Sequence, residues 1–180
     1  MTRLLALLTT LLLALPAHAL LSVGATAPAF TLEAAKAGKT LTVDSASLLR
    51  KGPLVVYFYP AAYTSGCSIE AKMFADRMND FEKAGATVIG ISGDDVEKLQ
   101  RFSVSHCMSR FAVASDPSLQ VAARYEAKGA FGMFGYASRV SYVIAPSGKV
   151  LLAHADTGPA SHVEQTLAAV HQYQTAQSAR

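Results

Sequence analysis

The sequence predicts an α/β fold in which helices cover a central, mainly parallel β-sheet. The run LVVYFY at residues 54–59 is continuously apolar or aromatic, lies between Pro53 and Pro60, and is typical of a buried strand. From Cys67 onward the apolar residues follow helical spacing instead, and strand and helix patterns then alternate along the chain. Such alternation indicates parallel strands joined by helical crossovers.

One helix is expected over residues 67–84, directly after this first strand. Its apolar positions recur at helical spacing on one side: Ile69, Met73, Phe74, Met78 and Phe81. Gly85 follows as a terminator, because glycine readily adopts the left-handed conformation that commonly ends a helix. The pattern therefore changes from strand to helix at Cys67.

The remaining elements complete a mixed sheet. Further strands are expected at 87–92, 111–115, 139–145 and 150–155, and further helices at 94–106, 118–127 and 161–174. The last two strands flank PSGK, a hairpin signal, and residues 30–43 are expected to form a small strand pair ahead of the sheet. Strand-helix-strand followed by helix-hairpin-helix is the thioredoxin-type arrangement. The prediction is a thioredoxin-like fold with a central mixed β-sheet flanked by helices and an extra N-terminal strand pair.

Residues 1–19 are interpreted as a cleaved secretory signal. Arg3 precedes an apolar run at 4–15, and the small-residue pattern AHA follows at 17–19. A helix of that run rises only about 18 Å, well short of a hydrocarbon core of about 30 Å, so a membrane anchor is disfavoured. The expectation is a single domain over 20–180, exported across the inner membrane to the periplasm without stable membrane insertion.

The net charge and the spacing of the histidines argue against a nucleic-acid partner and a metal site. Sixteen Lys and Arg against thirteen Asp and Glu give a net charge of +3, which indicates no nucleic-acid partner. The segment SGDDVEK at 92–98 is expected to be a solvated helix start. No metal is expected, because the histidines outside the signal lack close ligand spacing with acidic or thiol partners. Those histidines are His106, His154, His162 and His171.

Cys67 stands where open α/β sheets place their working sites, beyond the carboxyl end of a strand. An ordinary thiol has a pKa of about 8.5, and a helix start stabilises an anion by at most about 2 kcal/mol. A cation is therefore expected nearby, and Arg139, at the start of the strand 139–145, is the candidate. Thr64 offers a hydroxyl that can accept from helix-start N–H groups and donate to sulfur or peroxide oxygen, and Pro60 shields one side of the thiol.

These residues resemble the peroxiredoxins of the alkyl hydroperoxide reductase and thiol-specific antioxidant family. PAAYTSGC matches the family motif P-x-x-x-T-x-x-C at Pro60, Thr64 and Cys67, and Glu70 follows three residues later. APAFTL at 27–32 resembles the family's APDFTL, with alanine in place of aspartate, and SRVSYVIAPSGKV is similar to the segment that carries its catalytic arginine, here Arg139. Length and single-domain layout are closest to the bacterioferritin-comigratory subgroup.

The resemblance implies a thiol-dependent peroxidase that reduces hydrogen peroxide or organic hydroperoxides and requires no metal or organic cofactor. Cys67 would become a sulfenic acid, with Glu70 supporting Arg139, and an external thiol reductant, either a thioredoxin-like protein or a small thiol, would restore the enzyme. Cys107, the only other cysteine, is a candidate resolving residue. In many members of the subgroup the resolving cysteine lies five residues after the first cysteine. That position is Lys72 here, so a one-cysteine mechanism stays open.

The sequence also allows other interpretations of Cys67, of the class of protein and of the loop 129–138. Cys67 can also be read as a packed core residue or half of a permanent disulfide. Besides a peroxidase, the chain could be a thiol-disulfide oxidoreductase or a non-catalytic thioredoxin-like binding module. An oxidoreductase of that kind typically carries C-x-x-C, but Thr64 occupies the position of the first cysteine. The aromatic loop 129–138 is expected to pack against its own domain; the alternatives are an apolar wall for organic hydroperoxides or a self-association patch. The choice of peroxide and of monomer or homodimer is open.

Overall fold

A computed structural model describes residues 20–179, so the predicted signal at 1–19 lies outside the described residues. The strands are β1 (Thr31–Lys36), β2 (Lys39–Asp44), β3 (Leu54–Phe58), β4 (Thr87–Ser92), β5 (Ala112–Ser115), β6 (Val140–Ile144) and β7 (Val150–Ala155). The helices are α1 (Ser45–Leu49), α2 (Ser65–Asp76), α3 (Met78–Lys83), α4 (Val96–Ser105), α5 (Gln120–Arg124) and α6 (Pro159–Ser178), and Ala130–Phe134 form a 3-10 turn. Of the helices within 20–179, none combines the length and apolar character needed to cross a membrane.

The seven strands form one mixed sheet in the order β2-β1-β5-β4-β3-β6-β7. β3, β4 and β5 are parallel, and the remaining pairings are antiparallel. The thioredoxin-like mixed sheet with an N-terminal strand pair is therefore confirmed. The expectation of a mainly parallel sheet is wrong, because the strand pair and the closing hairpin add antiparallel pairings that outnumber the two parallel ones. The register of β3 with β6 sets Phe58 opposite Val140, which brings the start of β6 to the carboxyl end of β3.

Two apolar layers cover the faces of the sheet, because alternate residues of β3 point to opposite sides. Val55 and Tyr57 belong to the layer that includes side chains from α2, α3, α4 and α6. Leu54, Val56 and Phe58 belong to the layer that includes side chains from α1 and α5. β3 is buried along its whole length, which explains its uninterrupted apolar sequence.

The helix expected at 67–84 is two helices, α2 and α3, that are separated at Arg77. Phe74, Met78 and Phe81 stay buried on both sides of this break, so their spacing alone did not reveal it. α2 also begins two residues earlier than expected, and Ile69, expected on the apolar side of the helix, is 51% exposed. The expected terminator is confirmed, because Gly85 has a left-handed φ of 72°.

Two further differences concern short segments. α1 was not predicted, because five residues are too few to show a period; the Asp44 carboxylate caps it by accepting from the N–H of Ser47 at 2.8 Å. The expectation that the aromatic loop packs against its own domain is wrong for the large apolar side chains that follow Gly132. Met133 and Phe134 are 81% and 67% exposed, and Tyr136 is exposed as well.

Candidate active site

Cys67 lies in the first turn of α2, a short loop away from the carboxyl end of β3. The N–H of Tyr59 donates to the carbonyl of Ile91 at 3.1 Å and extends the pairing of β3 with β4. Pro60 has no N–H and therefore ends that pairing. The first N–H groups of a helix have no intrahelical acceptor and carry a partial positive charge, which favours a negatively charged sulfur at this position. The Cys67 side chain is buried, with 2% exposed.

Arg139 immediately precedes β6 and contacts the sulfur. Its Nη2 donates to Sγ of Cys67 at 3.4 Å, and the side chain is largely buried. Gly66 explains how the guanidinium comes so close to the helix, because a Cβ at that residue would stand only 3.1 Å from Nη2 of Arg139. The contact places a permanent positive charge directly against the buried sulfur. The structure thus joins the first turn of α2 to a residue 72 positions later in the chain.

Glu70 lies one turn after Cys67 in α2 and is fully buried. Its Oε2 accepts a hydrogen bond from Nη1 of Arg139, so the guanidinium is shared between the carboxylate and the sulfur. Oε1 finds no hydrogen-bond partner among the described residues. Burial raises the pKa of the Glu70 carboxyl to about 8, because the loss of hydration outweighs the attraction of the Arg139 charge. This carboxyl can therefore hold a proton near neutral pH.

Thr64 occupies the N-cap position of α2, but its hydroxyl does not cap the helix. The hydroxyl donates to the carbonyl of Ala61 at 2.9 Å and closes the loop 61–64 on itself. The expectation that it accepts from the helix-start N–H groups is therefore wrong. The physical reason is competition, because a threonine hydroxyl bonds readily to a nearby backbone carbonyl. Its oxygen keeps lone pairs that can accept a hydrogen bond from a bound molecule.

A cavity of about 750 Å³ opens beside this site. Its lining comes from the loop after β3, from the segment ahead of β6 and from the end of β7: Pro60, Ala61, Thr64, Tyr136, Ala137, Ser138, Arg139, Ala155, Asp156 and Thr157. Cys67 is not part of that lining, but Arg139 both lines the cavity and contacts the sulfur. A molecule in the cavity therefore meets the guanidinium that holds the thiol.

Cys107 follows the end of α4 and belongs to the same apolar layer as Cys67. Both thiols are free, and that of Cys107 is fully buried. Burial raises the pKa of the Cys107 thiol well above its ordinary value, so the thiol stays protonated in this conformation. The end of α4 also packs against the loop before Cys67, since the ring of Tyr63 meets those of Phe102 and His106 edge to face.

Asp94 was not predicted as a site residue. Residues 92–98 were expected to form a solvated helix start, and Asp95 fits that description, because it caps α4 by accepting from the N–H of Lys98. The side chain of Asp94 is instead only 8% exposed and accepts from the N–H of Ala62, inside the loop that leads to Cys67. The signal available in the sequence was an aspartate just beyond the carboxyl end of a strand adjacent to β3, where working sites of α/β sheets lie.

The sequence pattern of the AhpC/TSA family matches residues 23–153. A peroxiredoxin of Mycobacterium tuberculosis is 36% identical over 79% of this chain and 90% of its own length. The chloroplastic peroxiredoxin Q of Populus jackii is 37% identical over 80% of this chain and 65% of its own length.

Solved structures agree with these relatives. The crystal structure of the peroxidoxin BcpB from Mycobacterium tuberculosis is 30% identical with a TM-score of 0.73, covering 83% of this chain and 96% of that one. Mycobacterium tuberculosis AhpC, 22% identical with a TM-score of 0.73 over 87% of this chain and 99% of that one, shares the fold. Because the family pattern covers most of the chain and contains the cysteine and arginine that meet in the structure, the chain belongs to the AhpC/TSA family of peroxiredoxins, which are thiol-dependent peroxidases.

Proposed function

We propose that Cys67 is the peroxide-reducing thiol of this peroxidase. The observation that carries the proposal is the contact of Arg139 Nη2 with Cys67 Sγ at 3.4 Å, in the first turn of a helix. The thiolate attacks one oxygen of the peroxide, an S–O bond forms, and the O–O bond breaks. Sulfur loses two electrons and becomes a sulfenic acid, while the other oxygen takes a proton and leaves as water or an alcohol.

Each neighbouring group has a separate proposed role. Arg139 stabilises the thiolate before the attack and the developing negative charge on the leaving oxygen during it. Thr64 accepts a hydrogen bond from the bound peroxide, which fixes the direction of attack, and Pro60 forms a wall of the cavity. Glu70 orients Arg139 through the Oε2 contact. A thiol-disulfide exchange role is not favoured, since the relatives are peroxiredoxins and Thr64 stands where an exchanger would carry its first cysteine.

Peroxiredoxins take a peroxide as oxidant and a thioredoxin-type protein as reductant. For this chain we propose that Cys107 attacks the Cys67 sulfenic acid, which gives a disulfide and water, and that the reductant then opens the disulfide. Support comes from the position of both thiols in one apolar layer. Since Cys107 is buried and protonated, the end of α4 must open before it can react.

We also propose that the chain is exported. Support is the order of Arg3, apolar run and AHA in residues 1–19, which is typical of a secretory signal. Export would place the mature chain, beginning at Leu20, in the periplasm, where an oxidising environment favours the proposed disulfide.

Replacing Cys67 by serine is expected to abolish peroxide consumption. Arg139→Lys is expected to slow it about 10- to 100-fold, because a hydrogen bond to a charged group contributes about 1.5–3 kcal/mol. Stopped-flow oxidation with hydrogen peroxide and cumene hydroperoxide measures both, with Arg101→Lys, an exposed arginine in α4, as the matched control. Peroxide consumption that survives Cys67→Ser would contradict the proposal.

Oxidising the wild-type protein with one equivalent of peroxide is expected to give a Cys67–Cys107 disulfide. Peptide mapping by mass spectrometry after blocking free thiols detects it. Cys107→Ser is expected to react with peroxide as fast as wild type but to stop at a Cys67 sulfenic acid, which a dimedone probe captures. A wild-type protein that also retains a Cys67 sulfenic acid beside a free Cys107 would show a one-cysteine mechanism instead.

The free energy of unfolding is expected to fall as pH rises through the window set by Glu70. The carboxyl has a pKa of about 8 when folded and an ordinary value of 4.5, so between these limits the folded state binds more protons. The slope contributed by this one proton is at most about 1.4 kcal/mol per pH unit. Urea unfolding at pH 5 to 8 should show this decline in wild type and a flatter profile in Glu70→Gln. Equal slopes would contradict the raised pKa.

Export is tested by expressing the full chain in a Gram-negative host. The expected product is a periplasmic protein whose intact mass is that of a chain beginning at Leu20. Deleting residues 4–15 should keep the protein in the cytoplasm, because the apolar run is what the export machinery recognises. Wild-type protein that stays in the cytoplasm with residues 1–19 attached would contradict the proposal.

A further inference from the structure

We propose that Asp94 is a positioning residue that holds the loop 60–64, and with it the Cys67 site, in its reactive geometry. This inference rests on the proposed peroxidase role of Cys67. Asp94 stands between β4 and α4, and its side chain is 8% exposed. Its Oδ2 accepts from the backbone N–H of Ala62 at 2.7 Å, and 32 residues separate the two along the chain. One carboxylate therefore ties the loop of one strand to the end of the next.

The carboxylate itself is held firmly. The same Oδ2 accepts from the hydroxyl of Ser92 at 2.8 Å, and Oδ1 accepts from Nζ of Lys98 at 2.5 Å. The backbone of Asp94 is fixed as well, because its carbonyl accepts from the Ser115 hydroxyl at 2.7 Å. Lys98 balances the buried negative charge, so Asp94 can act on the loop without leaving an unpaired charge near the thiol.

The loop needs such an anchor, because its backbone has little regular pairing. Strand pairing stops at Tyr59, the Thr64 hydroxyl donates locally to the Ala61 carbonyl, and the Thr64 carbonyl accepts from the N–H of Ser68 in α2. Between these points Tyr63 has a φ of 70°, which is unfavourable for a residue with a side chain. The N–H of Ala62, next to this strained residue, is the point at which Asp94 holds the loop from outside.

Anchoring matters because the two halves of the site are carried by different strands. Pro60, Thr64 and the start of α2 follow β3, whereas Arg139 arrives from β6 on the far side of β3 from Asp94. A loop that moves relative to β6 changes the distance between the sulfur, the guanidinium and a peroxide lying in the cavity. Displacements of about 1 Å can lower a rate about 100-fold, so positional control from Asp94 has a measurable kinetic effect.

The experiment measures two reactions of Cys67 in the same variants, each made in the Cys107→Ser background. Peroxide oxidation requires the aligned site, whereas alkylation by iodoacetamide requires only an accessible thiolate. Asp94→Ala is expected to slow oxidation about 10- to 100-fold while alkylation does not slow. Asp94→Asn keeps an oxygen that can accept from Ala62 N–H and should recover most of the oxidation rate. Asp95→Ala is the matched control, because it removes the α4 cap but touches no residue of the loop.

The outcomes separate this inference from the proposed function. Wild-type protein that does not react rapidly with peroxide would remove the peroxidase role of Cys67 itself. A reactive wild type with an unchanged oxidation rate in Asp94→Ala would overturn only the positioning role, as would an equal loss of oxidation and alkylation. Folding is checked by circular dichroism, and Asp94→Ser replaces Asp94→Ala if the latter does not fold, since serine is too short to reach Ala62.

Discussion

The shared contact of Arg139 with the sulfur of Cys67 and the carboxylate of Glu70 is the constraint around which the rest of the site is arranged. All three side chains are buried or nearly so, and burying a charge is unfavourable unless it is paired. The guanidinium can pair with both groups because they lie one turn apart on the same face of α2. Moving any one of them would leave the others as uncompensated polar groups in an apolar layer.

That constraint accounts for the sheet order near the site. β6 runs antiparallel beside β3, so the residue that begins β6 lies where β3 ends. Gly66 leaves room for the guanidinium against the helix. On the other side of β3, the parallel neighbour β4 delivers Asp94 to the loop 60–64. The two strands adjacent to β3 therefore act on the site from opposite sides. Arg139, at the start of β6, contacts the sulfur, and Asp94, after β4, fixes the backbone of the loop 60–64.

Burial acts on the site in two opposite directions. It strengthens the electrostatic interaction between Arg139 and the sulfur by excluding water. The same loss of hydration raises the pKa of Glu70 and that of Cys107, which favours their protonated forms. The conformation that suits the attack on peroxide is consequently one in which the Cys107 thiol is protected. A catalytic cycle through Cys107 must alternate between this packed state and one in which the end of α4 has opened.

The order of residues was enough to predict the strand β3, the strand-to-helix change beside Cys67 and the alternation that specifies the fold. These features depend on the local order of apolar residues, which periodicity reports directly. It also identified Pro60, Thr64, Cys67 and Arg139 as one set through their motifs. It did not find the break at Arg77, because buried residues continue across it, nor the exposure of Ile69, because a helical period does not say how much of each face is covered.

Contacts between residues that are distant in the chain could not be predicted in this way, because they depend on how the elements pack. The hydroxyl of Thr64 donates to the Ala61 carbonyl and does not cap α2. Asp94 accepts from the N–H of Ala62, whereas its neighbour Asp95 caps α4 at the predicted helix start. Both outcomes follow from where the chain packs, since a polar side chain bonds to whichever partner the fold brings within 3 Å or so. The contact of Arg139 with Cys67 has the same origin, because the register of β6 on β3, and not the spacing of the two residues in the chain, brings them together.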